Sequence, residues 1–148
     1  MPRITVGARS SPLSQAQVQE VYSELKTVHP HVIFEPIFLK TKGDKDLDTS
    51  LRTLDKTNFF TYELDELLLH NQCRIAIHSA KDLPDPIPEG LSVIALTKGV
   101  DPSDSLVMRP GETISQLPSG SIIATSSIRR EENVRQLRKD FQFVDIRG

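Results

Sequence analysis

The sequence predicts an α/β protein: a mostly parallel sheet with helices on both faces. Two observations carry that expectation. Short β-branched, apolar runs alternate with segments of helical spacing along the whole chain. Several of the apolar runs also stop abruptly in hydroxyl, cationic or carboxylate side chains, which is where an open α/β sheet builds its ligand sites.

Ile4 to Ala8 mixes β-branched and small residues and reads as the first strand, with Gly7 allowing close backbone packing. Ser10 and Ser11 offer hydroxyl caps, and Pro12 stands at the favoured first helical position. Leu13, Ala16, Val18, Val21, Tyr22 and Leu25 then mark one helical face, which Pro30 ends. Val32 to Leu39 is a second strand, in which Pro36 calls for a bulge or a sheet edge. Thr41 to Asn58 is a long polar connection, and loops of that length tend to be functional or mobile. Within it Asp44, Asp46 and Asp48 are spaced like the opening of a calcium loop. Thr49 stands where that loop needs glycine and Asp55 where it needs a bidentate glutamate, so calcium is not expected. Helical spacing returns at Phe60, Leu64, Leu67 and Leu68, and His70 and Asn71 suit the end of that helix.

Ile75 to His78 reads as a short buried strand that ends at once in Ser79, Lys81 and Asp82; Pro84 and Pro86 exclude a long helix there. Leu91 to Leu96 is another strand-like run. Gly99 to Asp104 breaks the pattern as a domain crossover or a surface loop. The expected division is a first α/β domain over residues 1–98 and the opening half of a second over 99–148. In the latter, Ser105 to Met108 is a short strand, Thr113 to Leu117 a helical turn and Ser121 to Thr125 a strand. A helix running through Val134 and Leu137 and a last strand over Phe143 to Ile146 complete it. The chain stops just after that strand, where an α/β unit normally continues into a crossover helix, so a fragment or short form is expected.

Composition narrows the function classes. Hydrophobic residues at 37%, charged residues at 26% and a net charge of −2 describe a soluble globular protein without the basic excess of a nucleic-acid coat. The longest apolar runs are too short for a membrane span, and the opening MPRITVGARSSP lacks the apolar core of a secretory signal. Cys73 is the single cysteine, which excludes an internal disulfide and argues against structural zinc. A cytoplasmic location without nucleic-acid or membrane partners is the expectation.

Candidate site residues cluster at strand ends: Arg9 with Ser10 and Ser11, Ser79 with Lys81 and Asp82, Thr125 to Arg130, and Arg147. If these ends converge, they form a cationic, hydrogen-bonding cleft suited to a small polycarboxylate or phosphate, because guanidinium groups grip such anions in two-pronged fashion. Asp82 is then the odd acid in a basic cleft, kept ionised by nearby cations and able to steady positive charge on a substrate. Plainer alternatives stand beside each. Lys81 and Asp82 make an ordinary solvated loop pair, Arg9 caps a loop, and Glu131 and Glu132 pair with Arg129 and Arg130. His78 reads as a hydrogen-bonded core histidine and Cys73 as buried and inert.

The segments VGARSSPLSQAQ (Val6 to Gln17), HSAKDLP (His78 to Pro84), ATSSIRR (Ala124 to Arg130) and DIRG (Asp145 to Gly148) occur in order and together resemble the porphobilinogen deaminase (hydroxymethylbilane synthase) family. The resemblance implies a fold of three α/β domains, the first two like periplasmic binding proteins. This chain would match the main segment of the first and the opening half of the second, with the third domain absent. It implies a transferase of haem biosynthesis that joins four porphobilinogen units, with loss of ammonia, into linear hydroxymethylbilane. A dipyrromethane cofactor on a third-domain cysteine primes the chain. By the same resemblance, Asp82 is the catalytic carboxylate that holds pyrrole N–H groups and steadies a cationic azafulvene-like intermediate. Arg9, Ser11 and Arg147 meet substrate carboxylates, and Lys81, Thr125, Ser127, Arg129 and Arg130 bind the acidic groups of cofactor and growing chain. The full-length form is expected to be a monomer.

Two departures from the family pattern stand out. The active-site loop, usually a GGKGLF-like run, reads Asp55, Lys56, Thr57, Asn58, Phe59, Phe60, with the lysine displaced and Tyr62 where a second lysine is common. Cys73 does not match the cofactor-bearing cysteine, so the chain alone is expected to be inactive. The competing expectation is a non-catalytic, periplasmic-binding-type module for carboxylates. A weaker third is a structural fragment that pairs with itself through an unfinished sheet edge.

Overall fold

A computed structural model describes residues 1–50, 52, 57–99 and 101–146. Arg147, like Asp55 and Lys56 of the loop, lies outside the described residues. The chain divides into two compact units, one of Met1–Asp46 with Asp55–Thr97 and one of Leu47–Leu54 with Lys98–Gly148.

The first unit is built on β1 (Arg3–Arg9), the middle strand of a three-stranded sheet. On one side it pairs in parallel with β2 (Ile33–Leu39), from Arg3 opposite Ile33 to Arg9 opposite Leu39. The register runs straight through Val6 opposite Pro36, so Pro36 marks an edge strand and not a bulge. On the other side β1 pairs in parallel with β3, which is only Ile75–Ala76. The expected strand to His78 is therefore shorter and half-buried. Ile77 still donates its N–H to Gly7 O at 3.0 Å, but the backbone leaves the ladder and turns through a 3-10 turn at Ala80–Asp82.

Side-chain alternation along β1 places a helix on each face. Val6 and Ala8, both fully buried, join Val18 and Phe34 in the core, with Ile4, Val21, Tyr22 and Leu25 packed around them. That is the face of α1 (Pro12–Val28). Gly7 points the other way: a Cβ there would lie 3.1 Å from Cys73 Sγ and 3.2 Å from Leu64 of α3 (Tyr62–Leu69). The α1 stripe is narrower than expected. Leu13, 62% exposed, and Ala16 face solvent. At roughly 100° per residue they lie well off the line through Ser14, Val18, Val21 and Leu25. At the end of α3, His70 is the C-cap and Asn71 takes the left-handed conformation with φ of 55°.

Part of the expected polar loop is ordered by a capping box. Thr41 caps α2 (Lys42–Lys45), accepting from Asp44 N while the Asp44 carboxylate accepts from Thr41 N. Leu91 to Leu96 does not form a strand. Among the described residues nothing pairs with it, and Val93, Ile94 and Leu96 are exposed. Ser105 to Met108 likewise forms no strand among the described residues, and Val107 is solvent-exposed. In the second unit, β4 (Ile122–Ala124) and β5 (Gln142–Val144) pair in parallel, connected by α4 (Ile128–Leu137). None of the described helices is long and apolar enough to cross a membrane.

Candidate functional site

Each unit gathers its candidate residues at the carboxyl ends of its parallel strands, and each gathering is described separately. In the first unit β1 delivers Arg9, and the turn after β3 delivers Lys81 and Asp82. Arg9 Nη1 donates to Asp82 Oδ2 at 3.1 Å. Its Nε and Nη2 both reach Asp44, with Nε to Oδ1 at 3.1 Å. The guanidinium also lies over the Phe60 ring, 4.4 Å from its centroid. Arg9 thus sits between two carboxylates and against an aromatic face, and does not merely cap a loop.

The two acids respond in opposite directions. Burial raises the Asp44 pKa, but hydrogen bonds from Arg9 and Thr41 outweigh it and hold the carboxyl below its ordinary range. At Asp82 burial wins: despite the opposing charges of Lys81 and Arg9, and with Asp44 adding repulsion, the pKa is raised. The nearby cations act on Asp82 in the expected direction, but burial outweighs them in the net shift. Burial, then the Arg9 charge, pushes the His78 pKa down to about 4, so the ring is neutral at pH 7. Among the described residues its ring has no hydrogen-bond partner, which corrects the hydrogen-bonded assignment.

Ser11 is the N-cap of α1, accepting from Ser14 N at 3.3 Å, which leaves its hydroxyl proton as a separate donor. Ser79 bonds Gln17 at 2.9 Å, and Lys81 is exposed. Cys73 is 4% exposed, and burial raises its thiol pKa, so it suits packing and not covalent attachment of a ligand.

In the second unit Thr125 is buried at the end of β4, and its Oγ1 accepts from Ser127 N at 3.2 Å. Ser127 caps α4 through Arg130 N. Arg129 grips Asp104 with both Nη atoms, at 2.7 and 3.2 Å, and Arg130 Nε reaches the same carboxylate at 2.7 Å. The partner of the arginine pair is therefore Asp104, not Glu131 or Glu132. Glu131 is taken by Arg135 at 2.8 Å and by Arg52 at 2.8 Å. Arg52 also donates to Thr125 O at 2.7 Å, and Ser50 donates to Asp145.

Sequence reasoning missed Asp44, Phe60 and Asp104 as partners of these cations. The Thr41-x-x-Asp44 spacing is a capping-box pattern that marks the first of them. Nothing in the sequence marks the other two, whose contacts are set by the tertiary fold.

Both units are parallel α/β units that hold arginine and hydroxyl groups at strand ends, where open α/β sheets build ligand sites, and the arginines there grip carboxylates of the chain itself. The chain belongs to the porphobilinogen deaminase family: residues 4–148 match the family model described as "Porphobilinogen deaminase, dipyromethane cofactor binding domain". Its relatives include porphobilinogen deaminases of Desulforamulus reducens, 40% identical over 99% of this chain, and of Chloroherpeton thalassium, 39% identical over 98%. The chain covers 47% and 46% of these two proteins, so it spans about half the length of the curated relatives it matches.

Proposed function

We propose that this chain is the N-terminal part of a tetrapyrrole-forming transferase that condenses four porphobilinogen units, with loss of ammonia, into hydroxymethylbilane. Its two units belong to two α/β domains of periplasmic-binding type, divided near residue 98. The observation that carries the proposal is the Arg9–Asp82 pair, an acid of raised pKa held by a guanidinium at adjacent strand ends. Asp82 accepts pyrrole N–H donors and offsets the positive charge that develops as ammonia leaves. Arg9, the Ser11 hydroxyl proton and Arg147 meet substrate carboxylates.

The residues present fit dipyrromethane as a bound group. Arg129 and Arg130 already hold one carboxylate in two-pronged geometry, the chemistry needed for its acetate and propionate arms. Lys81, Thr125 and Ser127 would complete the holding set. When bound, the group supplies the pyrrole end to which new units are added. Cys73 is too buried to carry it, and the 148-residue chain by itself is inactive in this proposal.

One observation favours a second reading, a non-catalytic carboxylate-binding module: the arginines of both gatherings are already balanced by the chain's own Asp44 and Asp104. Asp82→Asn in the full-length protein separates the two. Under the transferase reading porphobilinogen consumption falls by about 100-fold or more while the fold is kept. Unchanged consumption removes Asp82 from catalysis. Intact mass of the native protein reports whether two linked pyrroles are attached.

A further inference from the structure

We propose that Asp44 is a positioning residue, which holds the Arg9 guanidinium in the one orientation that presents Nη1 to Asp82. The inference deepens the transferase reading and rests on it for its kinetic consequence only. A guanidinium is a rigid planar fork, so fixing one edge fixes the other. Asp44 takes the Nε–Nη2 edge, leaving Nη1 for Asp82. Phe60 covers one face of the plane at 4.4 Å and removes the remaining freedom to tip.

Asp44 is itself locked. Its Oδ2 accepts from Thr41 N and from Thr41 Oγ1, each at 2.9 Å, and Thr41 is fully buried. A continuous chain of bonds therefore runs from the start of α2, through Asp44 and Arg9 at the end of β1, to Asp82 in the turn after β3. The Asp44 side chain is 13% exposed and that of Asp82 15%, so these bonds are poorly screened by water. Sharing Arg9 between two acids also divides its charge. The groups that act on Asp82 are Arg9 from β1, Lys81 from its own turn and Asp44 from α2, with neutral His78 nearby under the same Arg9.

Asp44→Asn tests this because its single amide oxygen can keep the Thr41 cap while the NH2 group, a donor, meets Arg9 in place of the other carboxylate oxygen and the charge is gone. In the full-length protein, carbon-detected NMR of the Asp82 carboxyl should give a titration midpoint below that of wild type, because Arg9 now serves one anion. kcat for porphobilinogen should fall about 10-fold or more, with a smaller change in KM. Asp44→Glu keeps the charge but moves the carboxylate by one methylene; it should leave the Asp82 midpoint near wild type and still lower kcat. If Asp44 only closes a helix cap, Asp44→Asn shifts the midpoint through the lost charge alone and leaves kcat at the wild-type value, and the proposal is overturned. A wild-type protein that consumes no porphobilinogen refutes the transferase reading instead, and the Arg9 Nε–H resonance then decides the role of Asp44: it broadens in Asp44→Asn if Asp44 fixes the guanidinium and stays sharp if it does not.

Discussion

Arg9 was legible as a strand-end cation, but its two acids were legible only in part. Asp82 stands in a motif that ends an apolar run, whereas Asp44 lay in a long polar connection, where its spacing with Asp46 and Asp48 suggested only a poor calcium loop. What separates them physically is burial. Asp44 keeps its charge through Arg9 and Thr41, so it contributes stability above the ordinary carboxylate pKa that is lost as pH falls. Asp82, with a raised pKa, works in the opposite sense. His78 gives the clearest pH prediction at this scale. Its folded pKa of about 4 lies below the unfolded 6.5, so the unfolded chain takes the proton first on acidification. Stability should therefore decline from pH 6.5 to about 4, by up to roughly 3 kcal/mol, and no further below. His78→Asn should flatten that slope in urea denaturation run at pH 7 and pH 4.5. An unchanged slope would show that His78 is not its source.

At the scale of elements, the sequence carried β1, α1, β2, α3, α4 and the β4–β5 pair because each has a local signature: alternation, a hydroxyl cap or helical spacing. It did not carry α2, a helix of one turn whose stability comes from its cap and from packing, not from periodicity. Gly43 shows how tight that packing is. A Cβ there would overlap the Phe60 ring that supports Arg9, and Gly43 N bonds Phe59 O at 3.0 Å. Gly43→Ala must push the ring aside, which costs about 1–3 kcal/mol as overpacking does elsewhere. It should also loosen Arg9. Urea denaturation checks the first effect, and broadening of the Arg9 Nε–H resonance checks the second. A variant as stable as wild type with a sharp Arg9 signal would mean that Phe60 has room to move.

Across the whole molecule, the runs misread as strands share one physical cause. Apolar composition reports that a segment can enter a sheet, but a ladder needs a neighbour, and Leu91 to Leu96 has none among the described residues. The same reasoning ranks the two units. In the first, β1 is paired on both edges and covered on both faces by α1 and α3. In the second, a two-stranded parallel sheet carries exposed Ile122 and Val144, and α4 has no buried residue and exposes Ile128 and Leu137. Parallel strands depend on cover for both faces, and two strands alone are marginal in water. Hydrogen exchange on the 148-residue chain should therefore find the slowest amides in β1, at Val6 to Ala8, exchanging through global opening of that unit. The amides of β4 and β5 should exchange much faster through local opening, and those of Val93 to Leu96 at nearly the rate of an unstructured peptide. Equal protection in β1 and β4 would mean that the exposed apolar residues of the second unit are covered in solution, for example by a second copy of the chain.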